Sequence, residues 1–149
     1  MMVNISRIIW EPVYSVHVEA LDEQHRKLFD TVNQLIDVFE RGSGDLLPVI
    51  HDLIEYLSMH FHQEHLVMMN AGYPGFLKHS EEHRKFTEKF SQFLKAYSEG
   101  DAELGLNMLL FMKEWIRDHT TMLDLQYGEY LLKNPGKLQL SQPDTVKQT

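Results

Sequence analysis

Residues 60–83 read HFHQEHLVMMNAGYPGFLKHSEEH. Their centre, Gly72-Tyr73-Pro74-Gly75, carries the residues that favour a tight turn. On either side the apolar residues recur every three or four positions. Upstream the stripe is Ile50, Leu53, Leu57, His60, Glu64 and Met68; downstream it is Phe76, His79, His83, Phe86, Phe90, Phe93 and Tyr97. This spacing predicts two helices joined by a turn, with histidines and a glutamate standing where a core needs hydrocarbon.

Working outward, two more stripes have the same defect. Before the pair, Leu21, His25, Leu28, Val32, Leu35 and Phe39 predict a helix from about 18 to 41, ended by Gly42-Ser43-Gly44. Asp45 is its successor's expected cap, with Pro48 in the first turn. After the pair, Leu104, Met108, Phe111, Trp115 and His119 predict a helix over about 102–133, stopped by Asn134-Pro135-Gly136. Four amphipathic helices with short connections predict an all-α, up-down-up-down antiparallel four-helix bundle. The expected domain is 1–133, with an N-terminal arm over 1–17. A polar C-terminal tail follows over 134–149.

Composition narrows the function. The chain has 149 residues, and 43% are apolar, enough for one domain with a real core. A net charge of −8 argues against nucleic acid as a partner. The longest apolar run, at 108–112, is far below the roughly 20 residues of a membrane span, and no signal peptide is read in the first residues. A cytoplasmic location without membrane insertion is therefore expected. There is no cysteine, which rules out disulfides, zinc–thiolate sites and iron–sulfur clusters. There are nine histidines. Any metal must be held by imidazole and carboxylate, a donor set suited to iron.

The titratable core positions are His25, His60, Glu64, His79, His83, His119 and Asp124. Buried without partners, each costs several kcal/mol. Together they would cancel a domain stability of ~5–15 kcal/mol. With alternating helix directions, all seven fall towards one end of the bundle, so they can satisfy one another around metal. Five imidazoles and two carboxylates exceed one ion's needs and suit two octahedral ions bridged by the carboxylates. Two Fe(II) ions, two carboxylates and a bridging hydroxide leave a net charge of about +1, tolerable in a core. No Glu-x-x-His occurs, which removes the ferritin-like pattern, and no His-Glu-x-x-His occurs either.

The chain resembles the bacterial hemerythrins. The resemblance rests on Trp10, Asp22-Glu23-Gln24-His25, His60-Phe61-x-x-Glu64, Gly72-Tyr73-Pro74, His79-x-x-x-His83, Trp115-x-x-x-His119 and Asp124-x-x-Tyr127. It implies a hydroxo- or oxo-bridged pair of irons (Fe2+/Fe3+). His79, His83 and His119 would hold one iron, and His25 and His60 the other, which keeps an open position. Glu64 and Asp124 would bridge them. Dioxygen would bind reversibly at the open position, lined by Ile116, Leu28 and Thr120. The resemblance thus implies an oxygen carrier, store or sensor rather than an enzyme, delivering to an oxygen-using enzyme or a signalling partner. The competing reading is a di-iron enzyme that reduces peroxide or nitric oxide, or oxidises iron. The chain departs from the family at His65, where a second acidic residue is common, and at His17, where glycine is common.

Two local expectations follow. His119 and Asp124 are five residues apart, about 140° around a regular helix, and the apolar phase slips between them. A single wide turn inserted there would let both face one centre. The remaining histidines, His17, His51, His62 and His65, are expected at the surface.

Overall fold

In the computed structural model, residues 5–42, 46–100 and 104–137 are described. The helices are α1 (Glu19–Arg41), α2 (Leu47–Ala71), α3 (Phe76–Ser98), α4 (Leu104–His119) and α5 (Leu125–Lys133). A five-residue π-helical turn, Thr120–Asp124, joins the last two into one long arm of the bundle. Each arm packs on the next, α1 on α2, α2 on α3, α3 on α4 and α4 on α1, which is the expected up-down-up-down bundle. Among the described residues no helix is long and apolar enough to cross a membrane. The expected cap Asp45 lies outside the described residues, as do 138–149 of the expected tail.

Glycine is required at the first hairpin read from the sequence. Gly72 ends α2 with φ 64°, and its N–H and that of Tyr73 return to the carbonyls of Met69 and Met68 at 3.1 and 3.0 Å. That left-handed cap satisfies carbonyls the helix end would otherwise orphan.

The core has two apolar bodies. The larger includes Leu28, Val32, Leu35, Ile50, Leu53, Phe86, Phe90, Met108, Met112 and Ile116. The smaller is Val16, Val18, Leu21, Val67, Met68, Ala71, Tyr127 and Leu131. The arm before α1 closes both. Ile5 and Ile8 join the larger body, and Asn33 exchanges two hydrogen bonds with the Ile8 backbone, at 2.8 and 2.9 Å. Val16 joins the smaller body. Asp22 holds it there, accepting hydrogen bonds from the Val16 N–H (2.8 Å) and the Ser15 hydroxyl (2.6 Å). Gly128 makes this crossing sterically feasible: a Cβ there would lie 2.1 Å from the Val16 carbonyl oxygen. Next to it His17 adopts φ 68°, exposed and left-handed. That conformation costs a residue with a Cβ and explains physically why glycine suits the position.

Candidate metal centre

The buried polar and charged residues are Asp22, His25, His60, Glu64, His79, His83, His119, Thr120 and Asp124. All seven side chains singled out from the stripes are among them, and the bundle brings them together. Each helix contributes by the register already read: His25 from α1, His60 and Glu64 one turn apart on α2, His79 and His83 one turn apart on α3, and His119 from the end of α4. Asp124 is the last residue of the π-turn, and the wide turn brings its Oδ1 to 3.1 Å from the Nε2 of His119. The extra residue thus cancels the angular mismatch of a five-residue separation.

The donor atoms sort into two groups. In one, the Nε2 atoms of His83 and His79 lie 2.9 and 3.0 Å from that of His119. Glu64 Oε1 is 3.2 Å from His83, and Asp124 Oδ1 is 3.0 Å from His79. In the other, His60 Nε2 is 3.2 Å from Glu64 Oε2, and His25 Nε2 is 3.1 Å from Asp124 Oδ2 and 3.5 Å from Glu64 Oε2. Each carboxylate therefore turns one oxygen to each group. Donors on one face of an octahedron, roughly 2.1 Å from a first-row ion, are about 3.0 Å apart, the separation of the His119 nitrogen from each of the other two. The donor sets Glu64-His79-His83-His119-Asp124 and His25-His60-Glu64-Asp124 are each compact enough to hold an ion.

Protein partners alone do not satisfy this cluster. His25 Nδ1 and Nε2, His79 Nδ1, Glu64 Oε1 and Asp124 Oδ1 are buried without a hydrogen bond. Such atoms carry a desolvation cost unless something else meets them. In the metal-free cluster, protons fill the gap. Burial pushes the His25 pKa down, but the adjoining carboxylates of Asp124 and Glu64, 3.1 and 3.5 Å away, outweigh it and raise the pKa to about 10. The same balance raises His79 to about 9. For His83 burial prevails and the pKa falls. Glu64 and Asp124 are held well below the usual carboxylate range; burial opposes this, and the histidines overcome it.

A small cavity, about 10 Å³, opens between His25, His60, His119 and Asp124. Leu28, Leu57, Phe61, Trp115, Ile116 and Thr120 complete its wall. The sequence-derived pocket residues Leu28, Ile116 and Thr120 are thus on the wall, and the cavity is about the size that admits one water.

Several supporting residues carried no role in the sequence reading. Tyr127 is fully buried and donates its hydroxyl to Glu64 Oε2 at 3.0 Å. Burial, followed by the charges of Glu64 and Asp124, pushes its pKa well above 10, so it stays a donor. Phe61 stacks on His83 at 3.8 Å, and Trp115 stacks on His119 at 4.3 Å. The i, i+4 spacing of Trp115 and His119 was the available signal for the latter. Phe61 belongs to the motif that carries the resemblance, but its stack crosses helices, so spacing along one helix does not reveal it. Trp10, part of the family pattern, packs away from the cluster against Tyr14 and Phe29, under Arg26. His17, His51 and His62 are exposed, whereas His65 is half-buried against Phe76.

A family model described as the hemerythrin HHE cation-binding domain matches residues 16–131. The chain belongs to the hemerythrin family. It is 31% identical over 119 residues to a bacteriohemerythrin of Methylococcus capsulatus, covering 79% of this chain and 91% of that one. It is 26% identical over 125 residues to a bacteriohemerythrin of Clostridium acetobutylicum, covering 80% and 97%. A crystal structure of a wild-type hemerythrin superposes with a TM-score of 0.75 at 29% identity, covering 83% of this chain and 97% of that one. The hemerythrin domain implies a non-haem di-iron site. In this chain the buried histidine–carboxylate cluster, with its unmet donor atoms, fits that requirement.

Proposed function

We propose that the chain binds two iron ions in this cluster and takes up dioxygen reversibly, as a carrier, store or sensor rather than an enzyme. One observation carries the reading. Both carboxylates split their oxygens between the two histidine groups, and both histidines of the smaller group border the apolar cavity, whereas only His119 of the larger group does. His79, His83 and His119 would hold one iron with Glu64 Oε1 and Asp124 Oδ1. His25 and His60 would hold the other with Glu64 Oε2 and Asp124 Oδ2. The iron pair, when bound, supplies the electrons that dioxygen takes up and returns.

The protein's own task is to hold these donors and keep the cavity dry. Tyr127 keeps its proton and orients Glu64. Leu28, Leu57 and Ile116 exclude water and offer no proton. The enzymatic alternative, reduction of peroxide or nitric oxide, calls for a proton donor at the reacting atoms. Apart from the clustered residues, the wall has one aliphatic hydroxyl, that of Thr120, which is a poor acid, and the indole N–H of Trp115. This supports carriage over turnover. The test is optical: anaerobically iron-loaded protein should gain a visible charge-transfer band in oxygen and lose it under vacuum over repeated cycles. Direct passage to the oxidised spectrum, with no vacuum-reversible band, would refute reversible uptake.

A further inference from the structure

His60 is held differently from the other histidines of the cluster. Its Nδ1 lies 2.6 Å from Gln24 Oε1, and the Gln24 amide Nε2 in turn donates to Gln63 Oε1. Gln24 precedes His25 on α1, and Gln63 lies one turn beyond His60 on α2, so the three residues form a polar link across the helix pair. Both glutamines are half-buried at the edge of the centre.

Since its nitrogen is committed to Gln63, Gln24 can present only its carbonyl oxygen to His60. That oxygen accepts, so Nδ1 must carry the ring proton. A neutral imidazole has one such proton, which leaves Nε2 with a lone pair. The lone pair points at Glu64 Oε2, 3.2 Å away, itself an acceptor. Two acceptors facing each other at that distance call for a cation between them. By contrast, His25 Nδ1, in the same donor group, has no hydrogen-bond partner.

Resting on the two-iron reading above, we infer that Gln24 is the positioning residue of the His25/His60 subsite. It locks the His60 tautomer and ring plane, and Gln63 holds Gln24 in the orientation that does so. Its effect is therefore confined to one of the two ions, as expected of a partner behind a metal-ligating histidine.

The test is anaerobic Fe(II) titration of the metal-free full chain in competition with a chromophoric chelator, alongside thermal melts. Wild-type protein should bind two ions. Gln24→Leu should weaken one of them about 10–100-fold and leave the other unchanged. Gln24→Glu keeps an acceptor and should stay within a few-fold of wild type at both. Gln63→Leu should shift the same ion in the same direction by less. Two wild-type affinities in Gln24→Leu would overturn the inference. So would equal weakening of both ions with a lowered melting temperature, which would make Gln24 merely structural, or a Gln24→Glu variant that behaves like Gln24→Leu. Wild-type protein that binds fewer than two ions would instead refute the two-iron reading itself, and this inference with it.

Discussion

Aromatic rings cover His79, His83 and His119, whereas His25 and His60 both open on a cavity whose wall is completed by Leu28, Leu57, Ile116 and Thr120 and by the edges of that aromatic group, Phe61, Trp115 and His119. Phe61 and Trp115 lie flat on two of the three rings in the first group, and Tyr127 meets the edge of the third, His79, at 5.2 Å. Ring stacking fixes these imidazoles and fills the volume in which a further molecule would sit. In the second group, His60 is fixed from behind by a hydrogen bond, which leaves the space in front free. The same bundle thus combines a closed half and an open half. The means of holding each histidine decides whether space remains for a small ligand.

Glu64→Ala should have the largest effect, because it removes an oxygen from both halves. Metal analysis of anaerobically prepared protein should fall from two irons per chain to fewer than one. Exposed His62→Ala should keep both. Two irons in Glu64→Ala would break the picture of a shared carboxylate.

Ile116 bears on the cavity of the open half. It is 2% exposed and lines the cavity. Ile116→Ala should cost roughly 2–5 kcal/mol of stability through the space it leaves. Ile116→Ala admits water and Ile116→Gln adds a donor, so both should speed loss of the oxygenated band several-fold with iron content intact. Unchanged decay in both would show that the aliphatic wall is not what separates the halves.

Gly128→Ala bears on the seat of the N-terminal arm rather than on either half. The clash with Val16 should lift the arm and lower stability by roughly 1–3 kcal/mol, read from a chemical denaturation curve. The relative affinity for the two irons should stay as it was. A preferential loss of one ion would tie the arm to one half.

The smallest and most gradual effect is on pH dependence. In metal-free protein, His25 and His79 have raised pKa values, near 10 and 9 against an ordinary 6.5. A raised imidazole pKa adds stability in full below about 6.5, and the gain disappears as pH climbs through the folded value. The melting temperature of the metal-free protein should therefore fall from about pH 7 to 10. Iron replaces these protons, so loaded protein should be flatter over the same range and should release protons on loading. A flat profile in the metal-free protein would show that the carboxylates do not hold these protons.

Much of this was legible in the chain because bundle helices report their own facing. His25, His60, His79, His83 and His119 each stand in an apolar stripe of period 3.6, so their burial followed from spacing, and alternating helix direction put them at one level. The wide turn was legible too, as a one-residue slip of phase between Trp115-His119 and Asp124-Tyr127, and it lies at Thr120–Asp124. What periodicity could not report is contact between elements. The division of Glu64 and Asp124 oxygens between two groups depends on where four helices meet. So do the Phe61–His83 stack, the Gln24 bond to His60 and the close crossing of Val16 over Gly128. Spacing along one helix determines which side chains face inward. Only the packing of the helices against one another sets the ångström-scale distances that make an inward-facing histidine closed or open.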